Sequence, residues 1–201
     1  VLYGTGTPGR LVPFNQSAYR EYLRREELKN ALGPALDSPE FYALFQPKIR
    51  ISDGRVAGFE ALARWNSPSL GMVPPTEFIP VAEEFGYVER LTLKMISAAL
   101  ELQNELEQSG FEEVRTSVNL PPSLLNPSFL ARRVPGLCER SDCRSLEFEI
   151  TEGNLMVIDE TTAATLGDLR KQDITFSIDD FGTGYSNLGY LQTFHADALK
   201  I

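Results

Sequence analysis

The sequence predicts an α/β fold built on a mainly parallel sheet. Two observations carry the prediction: short runs with strand alternation take turns along the chain with amphipathic stretches of helical period, and the connections between them are short. A third concerns the strands themselves, each of which has one apolar face suited to lying under helices and another that bears a carboxylate or amide. A doubly wound sheet and a closed barrel both satisfy this pattern, and periodicity does not choose between them.

Taken in order, the strand candidates are Phe41 to Ile51, Val56 to Trp65, Arg115 to Leu120, Leu146 to Thr151, Ile174 to Phe181 and Asp197 to Ile201. Helical patterns fall at Pro75 to Gly86, Val88 to Ser109, a short stretch around Pro127 to Leu137, Glu160 to Lys171, and Ser186 to Phe194. The longest places Leu91, Met95, Ala98, Ala99 and Leu102 at helical spacing and stops on Gly110. Ahead of the first strand, Tyr19, Leu23, Leu28 and Ala31 form a stripe among charges, with Ser17 as the expected cap. The tract from Glu83 to Arg90 reads as a solvated corner between two helices.

Alternation assigns the faces. Leu146, Phe148 and Ile150 oppose Glu147, Glu149 and Thr151; Ile174, Phe176 and Ile178 oppose Thr175, Ser177 and Asp179. Thr116, Val118 and Leu120 oppose Arg115, Ser117 and Asn119, while Gly58, Glu60, Leu62 and Arg64 oppose the apolar set ending at Trp65. Glu60, Asn119, Glu149 and Asp179 stand at or near the C-terminal ends of their strands, where a (β/α) barrel assembles its site. A lone Asp at a strand end is more often a helix cap or a loop residue. Four oxygen-bearing side chains in register instead suit a hard divalent cation such as Mg²⁺ or Mn²⁺.

Composition sets limits on partners. The 201 residues carry 19 Lys and Arg against 28 Asp and Glu, a net charge of −9, so no cationic excess exists for a DNA or RNA duplex or an anionic membrane surface. No apolar run approaches a membrane span and no signal peptide opens the chain, so this segment is expected to be soluble and cytoplasmic, with any membrane anchor upstream. Cys138 and Cys143 lie in CERSDC; against a redox pair or half a metal site, we expect two free thiols of a reduced protein, since no second Cys pair exists and the single His, His195, is distant and is assigned no role.

The motifs FQPKI (Phe45 to Ile49), FEALARW (Phe59 to Trp65), PPTEFIPVAEE (Pro74 to Glu84), SVNLPPSLL (Ser117 to Leu125), EITE (Glu149 to Glu152), IDDFGTGYSNLGYL (Ile178 to Leu191) and DALKI (Asp197 to Ile201) together resemble the EAL domain family, phosphodiesterases of the bacterial second messenger cyclic di-GMP. The resemblance implies a modified TIM (β/α)8 barrel whose first strand runs antiparallel, and metal-dependent hydrolysis of cyclic di-GMP to linear pGpG. It implies metal ligation of Mg²⁺ or Mn²⁺ by Glu60, Asn119, Glu149 and Asp179, with Asp180 beside a second ion. Glu60, Asp179, Asp180 and Lys200 are then catalytic, Lys200 lying near the attacking water. Gln46 and Leu62 line the substrate cleft, Arg64 contacts a phosphate, and Glu152 holds the loop from Asp180 to Asn187 in a shape that supports a homodimer through the barrel. By spacing alone, Gly182 and Gly184 of that loop would make only a strand-to-helix turn.

Residues 1–16 resemble the end of a GGDEF domain, the synthase module fused ahead of EAL; 17–38 then read as a linker helix and 39–201 as the EAL domain, with an upstream GGDEF or sensor partner. A full barrel needs about 250 residues, so the chain is expected to stop after about the sixth strand, before the downstream Asp, the Glu of an AEGVE-like run and the Gln of a QGY-like run. Gly153 also replaces the small polar residue usual after EITE. On this reading the isolated chain does not turn over substrate, and the alternative for the whole protein is a catalytically inactive cyclic di-GMP receptor.

Overall fold

In the computed structural model of the chain, residues 15–111, 114–138, 143–182, 194 and 196–201 are described, without the side chains of residues 156 and 157. Residues 1–14 of the stretch 1–16 that was expected to end a GGDEF domain, most of the stretch from Ser186 to Phe194, and His195 therefore lie outside them. Helix α1 (Gln16–Ala35) leads into β1 (Phe41–Ile49), β2 (Val56–Ser67), β3 (Gly71–Val73), α2 (Pro75–Glu84), α3 (Val88–Gln108), β4 (Arg115–Asn119), α4 (Pro127–Arg132), α5 (Val134–Cys138), β5 (Leu146–Thr151), α6 (Glu160–Arg170), β6 (Thr175–Asp179) and β7 (Ala198–Leu199). The strands form one sheet in the order β1-β2-β4-β5-β6-β7, with β3 paired to β2. From β2 through β4, β5, β6 and β7 the pairing is parallel, while β1 is antiparallel to β2, as the resemblance implied.

Side chains show how strongly the sheet curls. Lys48 on β1 reaches Glu147 and Glu149 on β5, and Lys200 after β7 reaches Glu60 on β2. In a flat sheet these partners would be roughly 14 and 19 Å apart at about 4.8 Å per strand, beyond the combined reach of a lysine and a glutamate. The sheet therefore wraps around an interior, with helices outside.

The outward face is the core. Phe41, Trp65 and Phe78 are fully buried and pack as a stack and two edge contacts at centroid distances of 5.0, 5.2 and 6.1 Å. Phe148 and Phe176 stack at 5.9 Å, with Arg170 of α6 over the Phe176 ring and Phe194 edge-on to it. Gly110 takes φ +84° behind α3, and Phe111 N–H donates to the Leu106 carbonyl, so the predicted stop is a left-handed cap. Gly58 answers a different need: a Cβ there would lie 2.7 Å from the Arg115 carbonyl oxygen, so the β2–β4 approach requires glycine.

Several expectations are corrected. The cap of α1 is Asn15, whose side chain accepts from the N–H groups of Ser17 and Ala18; Ser17 is the second helical residue. The buried face of α1 is Leu28, Leu32 and Ala35, whereas Tyr19 and Leu23 are exposed. Helix α1 docks through Arg24 to Glu77, Arg25 to Glu84, and Lys94, which donates to the Leu36 and Ser38 carbonyls. The stretch from Pro127 to Leu137 is two helices, because Pro135 has no N–H with which to continue α4. The β3 hairpin was not foreseen, and β1 ends at Ile49, where the register shifts and residues 50–55 turn. The cysteines are not free: Cys138, the last residue of α5, and Cys143, ahead of β5, form a disulfide with their Cα atoms 5.3 Å apart.

Candidate functional site

The inward face carries the chemistry. Parallel register sets Glu60 beside Ser117, Asn119 beside Glu149 and Thr151 beside Asp179. From β2 to β6 the functional residue thus climbs by two residues twice, the stagger that brings side chains on tilted, barrel-like strands to one height. Lys200 joins them because its N–H donates to the Ile178 carbonyl and its own carbonyl accepts from Phe181 N–H, which fixes the chain after β7 against the end of β6.

Glu149 is the centre, with a side chain 0% exposed. Its Oε2 lies 2.6 Å from Lys200 Nζ and its Oε1 lies 2.9 Å from Lys48 Nζ. Lys200 Nζ also reaches Glu60 Oε2 at 3.1 Å and Asp179 Oδ1 at 3.4 Å, and Asn119 Nδ2 donates to Glu60 Oε1 at 3.0 Å. Lys48 holds Glu147 Oε1 at 2.9 Å, an oxygen that also accepts from Ser177 Oγ. One connected network therefore runs from β1 across the interior to β7.

Electrostatics follow from this geometry. Burial alone would push the Glu149 carboxyl up, but hydrogen bonds from Lys200 and Lys48 outweigh it and hold the group below the ordinary carboxylate range. Burial alone would lower both ammonium groups; the Glu149 and Glu60 carboxylates raise Lys200 instead, and Glu149 with Glu147 raise Lys48. Among the described residues of this network, four carboxyl groups face two ammonium groups, an excess of acidic groups that suits a divalent cation.

The donor set fits such an ion in chemistry: Glu60, Glu149 and Asp179 offer carboxylate oxygens, and the Asn119 carbonyl oxygen is left out of the amide's bond to Glu60. Among the described residues no three Asp, Glu, His or Cys side chains already close on one point as a metal cage. The cation at the centre is the Lys200 ammonium, ringed by Glu60 Oε2, Glu149 Oε2 and Asp179 Oδ1.

The remaining predicted residues are placed as follows. Asp180 adopts a left-handed backbone, φ 54°, unusual for a non-glycine residue and a form of strain that clusters at functional sites, and its N–H lies 3.0 Å from Asp179 Oδ1. Glu152 Oε2 accepts from Gly182 N–H at 2.9 Å, and its buried Oε1 meets no partner among the described residues. The loop it was expected to hold continues into residues 183–190, outside the described set. Gln46 stands opposite Glu60 in the β1–β2 register. Leu62 and Arg64 lie further along β2, at a largely apolar cavity that Ile79 of α2 and Val88, Leu91 and Met95 of α3 line with Asn119 and Pro121; Arg64 donates to the Ala63 carbonyl and does not enter the lysine–carboxylate network.

Lys48 and Glu147 were missed. The signal was present: Lys48 is two residues after Gln46 and Glu147 two before Glu149, so each shares the inward face of its strand.

The sequence model of the EAL domain matches residues 26–201. The chain is 37% identical over 186 residues to the cyclic di-GMP phosphodiesterase NbdA of Pseudomonas aeruginosa, covering 92% of this chain and 23% of that protein. It is 35% identical over 168 residues to the cyclic di-GMP phosphodiesterase RocR of the same organism, covering 83% of this chain and 43% of RocR. It spans about a quarter of the length of the leading curated relatives. The solved PaMucR phosphodiesterase in complex with c-di-GMP superposes with a TM-score of 0.81 at 30% identity, over 87% of this chain and 72% of that one. The FimX EAL domain of Pseudomonas aeruginosa bound to c-di-GMP gives 0.74 at 24% identity, over 87% of this chain and 71% of that one, a likeness of fold alone.

Proposed function

Because the chain belongs to the EAL domain family, we propose that the protein containing it is a divalent-metal-dependent phosphodiesterase that opens cyclic di-GMP to linear pGpG. The observation that carries the reading is the convergence of Glu60, Glu149 and Asp179 oxygens on one cationic centre, with Asn119 hydrogen-bonded to Glu60. Names of relatives such as NbdA and RocR supply the substrate.

Glu60, Asn119, Glu149 and Asp179, with Asp180 alongside, would hold Mg²⁺ or Mn²⁺. Such ions, when bound, neutralise the phosphodiester and lower the pKa of a bound water. The chain's own residues do the rest. Lys200 keeps Glu60, Glu149 and Asp179 turned to a common point and offers an N–H donor where water is to be oriented. Arg64 binds a phosphate and Leu62 and Gln46, the latter opposite Glu60 in the β1–β2 register, contact the dinucleotide. Water adds to phosphorus, the bond to one 3′-oxygen breaks, that oxygen takes a proton, and the product keeps a 5′-phosphate. A homodimer through the barrel, an upstream GGDEF or sensor domain and a cytoplasmic location complete the reading. They rest on the family resemblance; separately, no described helix is long and apolar enough to cross a membrane.

The test is release of pGpG from cyclic di-GMP by the purified protein with Mg²⁺ or Mn²⁺. Glu60→Ala is expected to abolish release while leaving the fold near wild type, since Glu60 is partly exposed and Lys200 keeps Glu149. Tight nucleotide binding without turnover by the wild type would replace the enzyme with a receptor.

A further inference from the structure

Lys48 is the interior cation that the reaction does not explain. It projects from β1, three strands from β5, and its Nζ is 2.9 Å from Glu147 Oε1 and 2.9 Å from Glu149 Oε1. Gly58, opposite Lys48 in the β1–β2 register, contributes no side chain to that face. The pair it meets is fixed from elsewhere too: Ser177 Oγ donates to Glu147 Oε1, and Lys200 takes Glu149 Oε2.

The consequence is a division of labour between the two oxygens of Glu149. Oε1 is committed to Lys48, 2.9 Å away. Oε2 alone is presented to the group formed by Glu60 and Asp179. Glu147, two residues earlier on the same face, would compete for any cation entering the interior, and its Oε1 is occupied by the same ammonium. We propose that Lys48 is a positioning residue for the metal site: it pins Glu149 through Oε1 so that this carboxylate offers one oxygen to the ion, and it withdraws Glu147 from competition.

The inference rests on the metal-dependent reading above but predicts a sign that a mere charge balance would reverse. Lys48→Met adds a net negative charge to the interior, so a purely Coulombic role makes the variant bind a divalent cation more tightly. A positioning role makes it bind more weakly, because Glu149 is freed to turn both oxygens to Lys200. Outer partners of metal ligands are worth about 10–100-fold in affinity.

The experiment titrates Mn²⁺ into purified protein and follows the electron paramagnetic resonance signal of the free ion, with kcat and KM for cyclic di-GMP measured at saturating Mn²⁺. Lys48→Met is expected to weaken Mn²⁺ binding by about tenfold or more, with kcat falling and KM for the dinucleotide little changed. Lys48→Arg, which can hold both carboxylates, should restore affinity to within about threefold. Glu147→Gln keeps an acceptor for Lys48 and Ser177 and leaves Glu149 pinned, so its Mn²⁺ affinity should stay at the wild-type value. Unchanged or tighter binding by a folded Lys48→Met protein overturns the proposal. Should that variant not fold, Glu147→Gln decides: unchanged affinity supports positioning, and a loss of fivefold or more overturns it. If wild type hydrolyses nothing yet binds Mn²⁺ with these dependences, the enzyme reading fails and the positioning role stands.

Discussion

The two faces of this sheet are made by the same strands and held by opposite means. On β5, Phe148 and Glu149 are neighbours in sequence and both are buried, at 0% and 1% exposure. Phe148 faces outward, where it stacks on Phe176 under the helices and makes no polar contact. Glu149 faces inward, where two ammonium groups from strands at either side of the sheet close on its two oxygens. The outer face is specified by volume, because close-packed side chains tolerate neither voids nor excess. The inner face is specified by charge, because a carboxylate removed from water persists only if paired.

Truncation should produce the largest effects and make the two faces look alike. Phe148→Ala leaves a cavity and is expected to cost about 3–5 kcal/mol. Glu149→Ala leaves Lys48 and Lys200 short of their shared partner and is expected to cost about the same, the usual loss when one partner of a buried pair is removed. Denaturant unfolding of metal-free protein measures both. A loss below about 1 kcal/mol for Glu149→Ala would show that water or the other carboxylates compensate the lysines, and the claimed difference between the faces would vanish.

Isosteric changes should separate what truncation confuses. Phe148→Leu keeps an apolar side chain in an apolar layer and is expected to cost well under the alanine variant, about 1.5 kcal/mol. Glu149→Gln keeps shape and one acceptor but removes the charge, and should cost about 1.5–3 kcal/mol, the range for hydrogen bonds to charged groups. The more telling readout is Mn²⁺ affinity. Phe148→Leu should leave it unchanged, whereas Glu149→Gln should lose most of it, and equal losses would mean that outer packing, not inner charge, shapes the site.

The same contrast explains what could be read from the sequence. Outer-face residues advertise themselves through local periodicity: Leu146, Phe148 and Ile150 alternate within one strand, and their burial follows from that alternation alone. Inner-face partners do not. Lys48 meets Glu147 and Glu149 across 99 and 101 residues of chain, a pairing that exists only once the sheet has curled. Asn119, Glu149 and Asp179 were legible because each is an oxygen donor at or near a strand end; Glu60, expected at a strand end too, instead lies in the middle of β2, which runs on to Ser67, and the structure brings Glu60, Glu149 and Asp179 to Lys200, with Asn119 bonded to Glu60. The β3 hairpin is three residues long, too short to show a period. The cap of α1 fell to Asn15 and not Ser17, a choice of one turn between two competent capping residues.

The smallest effect is also the most specific to the inner face, and it concerns pH in metal-free protein. Glu149 has its carboxyl depressed below the ordinary 4.5 in the fold, so the stability it contributes is fully present above about pH 4.5 and is lost as pH falls through the folded value. Lys48 and Lys200 are raised above the ordinary 10.5, so their contribution is fully present below that pH and disappears as pH rises through their folded values. These three groups therefore add nothing to the pH dependence between these limits and steepen the loss outside them. Thermal melts in a chelator should show the wild type losing its advantage over Glu149→Gln below pH 4.5, while its difference from Phe148→Leu stays constant across the same range. An advantage that persists unchanged into acid would mean that Glu149 is held by shape rather than by its charge, and would erase the distinction between the faces at the residue where it is sharpest.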